Sequence, residues 1–404
     1  ETLVKLRFYL SQLGFVFAFL WIMMFIVFFA DSLCGPVVPY LVREFLIDEA
    51  AVVGMIGLLN SVFNLVRTAV NIPGAILGDR MDRSKIVLAS LPLLPASFLL
   101  LFLADQCWWI LGSFVLIGVF LGLSMPSLNA MVADTVPINI RATAFAIFNL
   151  SWIISQTIAP ALGGFLSDNV FLRFPFIIAL LLSVAVILHY LSFLNRLKAV
   201  ASPTKLISES EPQESTTSTD PFRLNILLLC GMQFISGVGN GILMPINVAF
   251  LMYALGISPT EMGIAFSVGW GVATALAQVP GGKVADKFGP RLVMLVSTLI
   301  AAPLLLLLPF STNVFQYALI TGFICFIGNL ASPAFSAWVA NLTGTKRRGK
   351  GYGFTSAAFG AGAIIGPIIG SLTWTLFEPN YFLPFAFATI PFLLELPFII
   401  ALKS

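Results

Sequence analysis

Charge is scarce in this chain. Only 10% of its 404 residues are Asp, Glu, Lys or Arg, and 59% are hydrophobic, whereas soluble domains carry about 25% charged residues. Mean hydropathy is +1.00. No soluble interior could hide that much apolar surface, so the bilayer must be part of the solvent. Histidine is limited to His189. The four cysteines (Cys34, Cys107, Cys230 and Cys325) have no paired spacing. That argues against a disulfide framework or a metal site. HExxH and GxSxG are absent, and no aspartates pair at membrane depth. An intramembrane enzyme is therefore not expected, nor any cofactor. The formal net charge of +3 comes from loop residues that set topology, so nucleic acid is not an expected partner. No cleavable leader is expected either, because the apolar stretch behind Lys5 and Arg7 is too long for a signal h-region.

What is present is a succession of apolar runs. They fall near 13–41, 51–77, 86–104, 108–133, 141–166, 172–194, 223–255, 260–285, 291–310, 314–340, 350–377 and 381–402. A spanning helix needs about 20 residues, so these predict twelve spans. The one long polar stretch, rich in Ser, Thr, Glu and Pro, reads as a flexible linker. It divides the chain into an N-terminal six-helix bundle (1–194), a linker (195–222) and a C-terminal six-helix bundle (223–404). Of the 21 Lys and Arg residues, 18 fall on the side that holds both termini. The excess of positive charge predicts a multi-pass protein of the cell (plasma or inner) membrane with both termini cytoplasmic.

The halves repeat at a constant offset of 207 residues. Pro73 matches Pro280, Asp79-Arg80 matches Asp286-Lys287, and Pro126 matches Pro333. Arg141 matches Arg348, Pro160 matches Pro367, and Gly163 matches Gly370. Six matches in one register predict two parallel, pseudo-symmetric bundles. Such halves place a substrate site near the midplane at their interface.

The segment Gly74-Ala-Ile-Leu-Gly78-Asp79-Arg80-Met81-Asp82-Arg83-Ser84-Lys85, with its echo from Gly281 to Arg291, resembles the loop motif of the major facilitator superfamily. Asp82 stands where that family usually has glycine. Within the family the chain is most similar to drug:proton antiporters. Their fifth-helix small-residue motif falls here on Ala146, Ser155, Ala159, Pro160, Gly163 and Gly164. Its eleventh-helix counterpart falls on Gly353, Gly362, Gly366, Pro367 and Gly370. The arginine usual in their fourth helix is missing, since no Lys or Arg lies between Lys85 and Arg141. The resemblance implies the major facilitator fold, a monomer, and a cytoplasmic latch. The expected latch residues are Asp79, Arg80, Asp134, Arg141, Asp286 and Lys287, with Pro160, Gly366 and Pro367 as gating positions in the helices.

Three ionisable side chains lie well inside apolar runs: Asp31, Arg67 and Glu395. A charge at the bilayer centre costs about 2.5–3.5 kcal/mol on insertion scales, which makes each a functional candidate. Asp31 and Glu395 are candidate proton sites. Arg67 could pair with Asp31, tune it, or hold an anionic group. Asn60, Asn64, Arg67 and Asn71 share one helix face. Shorter polar stripes run through Asn149, Trp152 and Gln156, through Gln233 and Asn240, and through Trp270 and Thr274. A polar stripe in an apolar helix faces water or partners rather than lipid. These residues, with Phe359, outline a cavity for a small-molecule substrate. Two functions are open at this point. One is proton-coupled efflux of a drug or metabolite through Asp31. The other is uptake or facilitated exchange of an anionic metabolite through Arg67. A non-transporting receptor on the same fold is a remote third.

Overall fold

The computed structural model describes residues 14–136, 141–194 and 221–402. The side chains of Asp79 and of residues 141–143, 221–223, 337 and 340–350 lie outside that description. Twelve helices are long and apolar enough to cross a membrane. They are α1 Phe15–Cys34, α2 Glu49–Gly78, α3 Arg83–Leu103, α4 Cys107–Thr135, α5 Ala144–Asn169, α6 Phe174–Ser192, α7 Leu224–Ala254, α8 Pro259–Phe288, α9 Pro290–Phe310, α10 Val314–Ser336, α11 Gly351–Phe377 and α12 Phe382–Ala401. No strand occurs among the described residues. With twelve spans the first and last helices open on one face, here the terminal face. The opposite one is the distal face.

The starts of the helices are written locally. Asp48 accepts a hydrogen bond from Ala51 N at 2.9 Å and caps α2. Ser258 and Glu261 form a reciprocal capping box at the start of α8, behind Pro259 at its first position. Asn313 caps α10 through Gln316 N. Helical hydrogen bonding continues without a break from Val314 to Phe377. The charged stretch expected as a plain loop between α10 and α11 thus has a helical backbone.

Packing follows the repeat. Where glycine carries no side chain, neighbouring backbones approach until a Cβ would not fit. Gly163 of α5 lies against Leu33 of α1, and Gly370 of α11 lies against Ile242 of α7. Gly74 of α2 meets Gly122 of α4, and Gly281 of α8 meets Leu330 of α10. Between the halves the same correspondence holds. The Pro160 carbonyl of α5 faces Gly263 of α8, and the Pro367 carbonyl of α11 faces Gly57 of α2. The chain is therefore two pseudo-symmetric six-helix bundles. The symmetry is broken in the C-terminal half, where Phe250–Ala254 and Ala265–Val272 are π-helical.

The halves are sealed on the distal side. Hydrogen bonds join them there. Tyr40 donates to the Ile257 carbonyl at 2.6 Å, Thr260 N to Asp168 at 2.9 Å, and Trp374 Nε1 to Glu49 at 2.9 Å. Slightly deeper, Ala161 N donates to Ser267 Oγ at 3.0 Å.

Candidate functional site

One cavity of about 930 Å³ lies between the bundles, walled by residues of both. α1 contributes Asp31, Ser32 and Cys34, and α2 contributes Asn60 and Phe63. α5 contributes Trp152, Gln156 and Pro160. From the other half come Gln233, Ser236, Asn240 and Asn247 of α7, with Phe266, Trp270 and Thr274 of α8. α10 adds Thr321, Cys325 and Asn329, α11 adds Phe359, and α12 adds Phe392 and Glu395. Phe266 and Trp270 belong to the π-helical segment of α8, and their rings lie 4.6 Å apart. π-bulges recur at functional sites because they turn side chains off the regular helical face.

Most residues singled out in the sequence line this space: Asp31, Glu395, Asn60, Trp152, Gln156, Gln233, Asn240, Trp270, Thr274 and Phe359. Asn64, Arg67 and Asn149 do not belong to the lining. Asn60 and Asn71 are eleven residues apart, about 16 Å of helix, and only the first member of that stripe reaches the cavity. Arg67 is exposed. Its field reaches Asp31, but the ion pairs among the described residues are Arg83–Asp134 and Arg173–Glu44. Neither involves Arg67.

Glu395 belongs to α12, the last helix of the C-terminal half. It sits in the cavity wall, 8% exposed. Its Oε1 has no hydrogen-bond partner. Three lining residues escaped the sequence reading although each carries a buried, unpartnered polar atom: Ser32 Oγ, Asn247 Oδ1 and Thr321 Oγ1. Buried polar groups are normally paired, so each orphan needs a reason. Their only sequence signal was a polar residue in an apolar run.

The lining contains two carboxyls, several amides and many rings, but no Lys, Arg or His. The amides are oriented by their own helices. Asn60 donates to the Ile56 carbonyl, Asn240 to the Ser236 carbonyl and Asn329 to the Cys325 carbonyl, at 2.9, 2.9 and 2.8 Å. A carbonyl only accepts, so each of these bonds takes one N–H of the amide, and the amide oxygen stays an acceptor.

Of the expected latch residues, the side chains of Asp79 and Arg141 lie outside the described residues. Asp134 pairs with Arg83 within the N-terminal half. Arg80, Asp286 and Lys287 are outward-facing, and the Lys287 ammonium stands 5.1 Å from the centroid of the Phe288 ring. Pro160 lines the cavity. Gly366 and Pro367 instead form the α7–α11 and α2–α11 contacts. His189 stacks on Phe19 at 4.0 Å. The cysteines are all free, and no group of metal-ligating side chains occurs among the described residues.

The chain is 25% identical over 359 residues to the quinolone resistance protein NorA of Staphylococcus aureus, covering 85% of this chain and 86% of that protein. It is 25% identical over 358 residues to the multidrug resistance protein MdtG of Salmonella arizonae, covering 87% and 86%. In fold it is similar to a bacterial homologue of the human lysosomal transporter Spinster in an inward-facing, occupied conformation. That match has a TM-score of 0.74 at 16% identity and covers 96% of each chain. A POT family transporter in complex with 5-aminolevulinic acid gives 0.75 at 17% identity, covering 97% of this chain and 99% of that one. The Major Facilitator Superfamily profile matches twice, over residues 20–232 and 229–403. With twelve spans in two bundles around a central cavity, the chain belongs to the Major Facilitator Superfamily and is a multi-pass membrane transporter of small molecules.

Proposed function

We propose that this chain is a secondary active transporter that exports small organic cations of largely apolar body in exchange for protons, by alternating access. The carrying observation is the cavity itself. Asp31 from one half and Glu395 from the other stand in a single, mostly apolar wall that holds no basic side chain. A charge in such surroundings is costly unless it is neutralised. A proton or a bound cation neutralises a carboxylate equally well, so the two compete for one site and exchange. Trp152, Trp270 and Phe359 offer ring faces to an apolar or cationic body, while Asn60, Gln156, Gln233, Asn240 and Thr274 offer hydrogen bonds. The names of the two curated relatives, quinolone resistance and multidrug resistance, favour outward movement.

The distal contacts describe one state of the cycle. Passage to the other requires them to part while the terminal side closes. Arg80, Asp134, Asp286 and Lys287, with Asp79 and Arg141, are the proposed latch there. Pro160, Gly366 and Pro367 are the positions about which α5 and α11 move. The alternative of anion uptake through Arg67 has less support, because that guanidinium stands outside the cavity wall.

The test is flux in proteoliposomes with an imposed pH gradient and an interior pH dye, comparing wild type with Asp31→Asn and Glu395→Gln. Addition of an organic cation should release protons in wild type, and each variant should lose that coupling. Equal substrate movement in all three proteins without proton flux would sink the coupling reading.

A further inference from the structure

The polar wall of the cavity is rich in hydrogen-bond acceptors, beside which Gln156, Gln233 and the Ser32 and Thr321 hydroxyls can also donate. Its two carboxylates, when ionised, only accept. Asn60, Asn240 and Asn329 each donate one N–H to the carbonyl one turn back in its own helix, and each keeps its amide oxygen as an acceptor. Thr274 Oγ1 already accepts from Asn329 at 3.2 Å.

Two acceptors also go without any donor in the protein. Glu395 Oε1 and Asn247 Oδ1 are buried and unpartnered, on residues 8% and 4% exposed. No Lys, Arg or His stands in the wall to serve them. A bare charge would satisfy the carboxylates by proximity, but it would leave Asn247 Oδ1 unpaired. A ligand that brings its own N–H groups supplies the donors that Glu395 Oε1 and Asn247 Oδ1 lack.

We propose that the cavity selects organic cations that donate N–H hydrogen bonds, such as protonated amines, amidines and guanidines, over donor-free cations of equal charge such as quaternary ammonium and phosphonium ions. This rests on the export reading above and narrows it. Glu395 and Asn247 are the specificity-determining residues, and Asp31 supplies the matching charge from the other half. A guanidinium suits the site further, because its planar face can lie on the Trp152 or Trp270 ring while its edge donates.

The experiment compares benzylguanidinium with benzyltrimethylammonium on the full chain in lipid nanodiscs, by titration calorimetry at neutral pH. The two share an aromatic body and a fixed positive charge and differ in N–H donors. Benzylguanidinium should bind at least about tenfold tighter, the scale of one charge-assisted hydrogen bond. The isosteric Glu395→Gln keeps the volume and should lose most of that preference, while Asn247→Leu should reduce it. The wild-type comparison stands even if a variant fails to fold. Equal affinities in wild type would overturn the preference and leave cation export intact. Failure of both probes to bind, with no cation-driven flux in proteoliposomes, would overturn the preference and the export reading together.

Discussion

Asp168, at the end of α5, receives the backbone N–H of Thr260 at the start of α8, 2.9 Å away in the other half of the molecule. The Thr260 hydroxyl donates to the same carboxylate oxygen. An anion at a helix N-terminus meets unsatisfied N–H groups and the positive end of the helix dipole. The acceptor here belongs to the opposite bundle, so the cap is a bond between halves, and it exists only while the distal side is closed.

Asp168→Ala should therefore shift the equilibrium toward a distally open state. Asp168 is exposed, so the expected bias is modest, about 1 kcal/mol or roughly fivefold in population. The check is pulsed dipolar spectroscopy between non-cysteine nitroxides at Ile47 and Glu378, both outward-facing on the distal side. The long-distance population should grow. Adding Trp374→Phe, which removes the donor to Glu49, should add to the shift, since the contacts share no residue. An unchanged distance distribution in the double variant would rule out these contacts as a gate.

The spans, the repeat and the isolated ionisable residues were legible in the sequence because each is a local signal. An apolar run, a constant offset and a carboxyl within an apolar run need no knowledge of the partner helix. Depth along a helix was legible as well, because a regular helix rises about 1.5 Å per residue. Orientation around the helix was not. Each residue turns about 100° on a regular helix, so Asn60, Asn64 and Arg67 share a face although only Asn60 belongs to the cavity lining. Asn247 and Thr321 are single polar residues in apolar runs, and only the cavity and their orphaned atoms distinguish them. Asp168–Thr260 and Glu49–Trp374 join residues 92 and 325 positions apart. No local pattern could pair them.

The four free cysteines give a native footprint of the cavity. Cys325 lines it, whereas Cys230, on α7, is partly exposed but absent from the wall. A cavity-bound cation should slow thiol labelling of Cys325 and leave Cys230 unchanged. Protection scales as one plus ligand concentration over Kd, so at ten times Kd the rate should fall about tenfold. Mass spectrometry of maleimide adducts, with and without benzylguanidinium, measures both sites in one sample. Equal protection at both would indicate a global change rather than occupancy of this cavity.

The glycines between the halves supply the sharpest mechanical prediction. A Cβ on Gly164 would stand 2.1 Å from the Pro259 carbonyl oxygen, and one on Gly263 would stand 2.2 Å from the Pro160 carbonyl oxygen. Both obstacles are backbone atoms, which cannot swing aside as a side-chain tip would. The strain falls between bundles, so it can be relieved by separating them rather than by unfolding either. Gly164→Ala or Gly263→Ala should thus cost about 1–3 kcal/mol chiefly in the distally closed state. The readout is labelling of Cys34, which is buried in the cavity wall beside this seam, by a membrane-impermeant maleimide applied from the distal side. Both alanine variants should accelerate it, with little change in melting temperature. Gly282→Ala is the control, because its Cβ would meet nothing within 4 Å. If the two variants lose melting temperature sharply without any gain in Cys34 labelling, these glycines serve static packing and the halves do not part along this line.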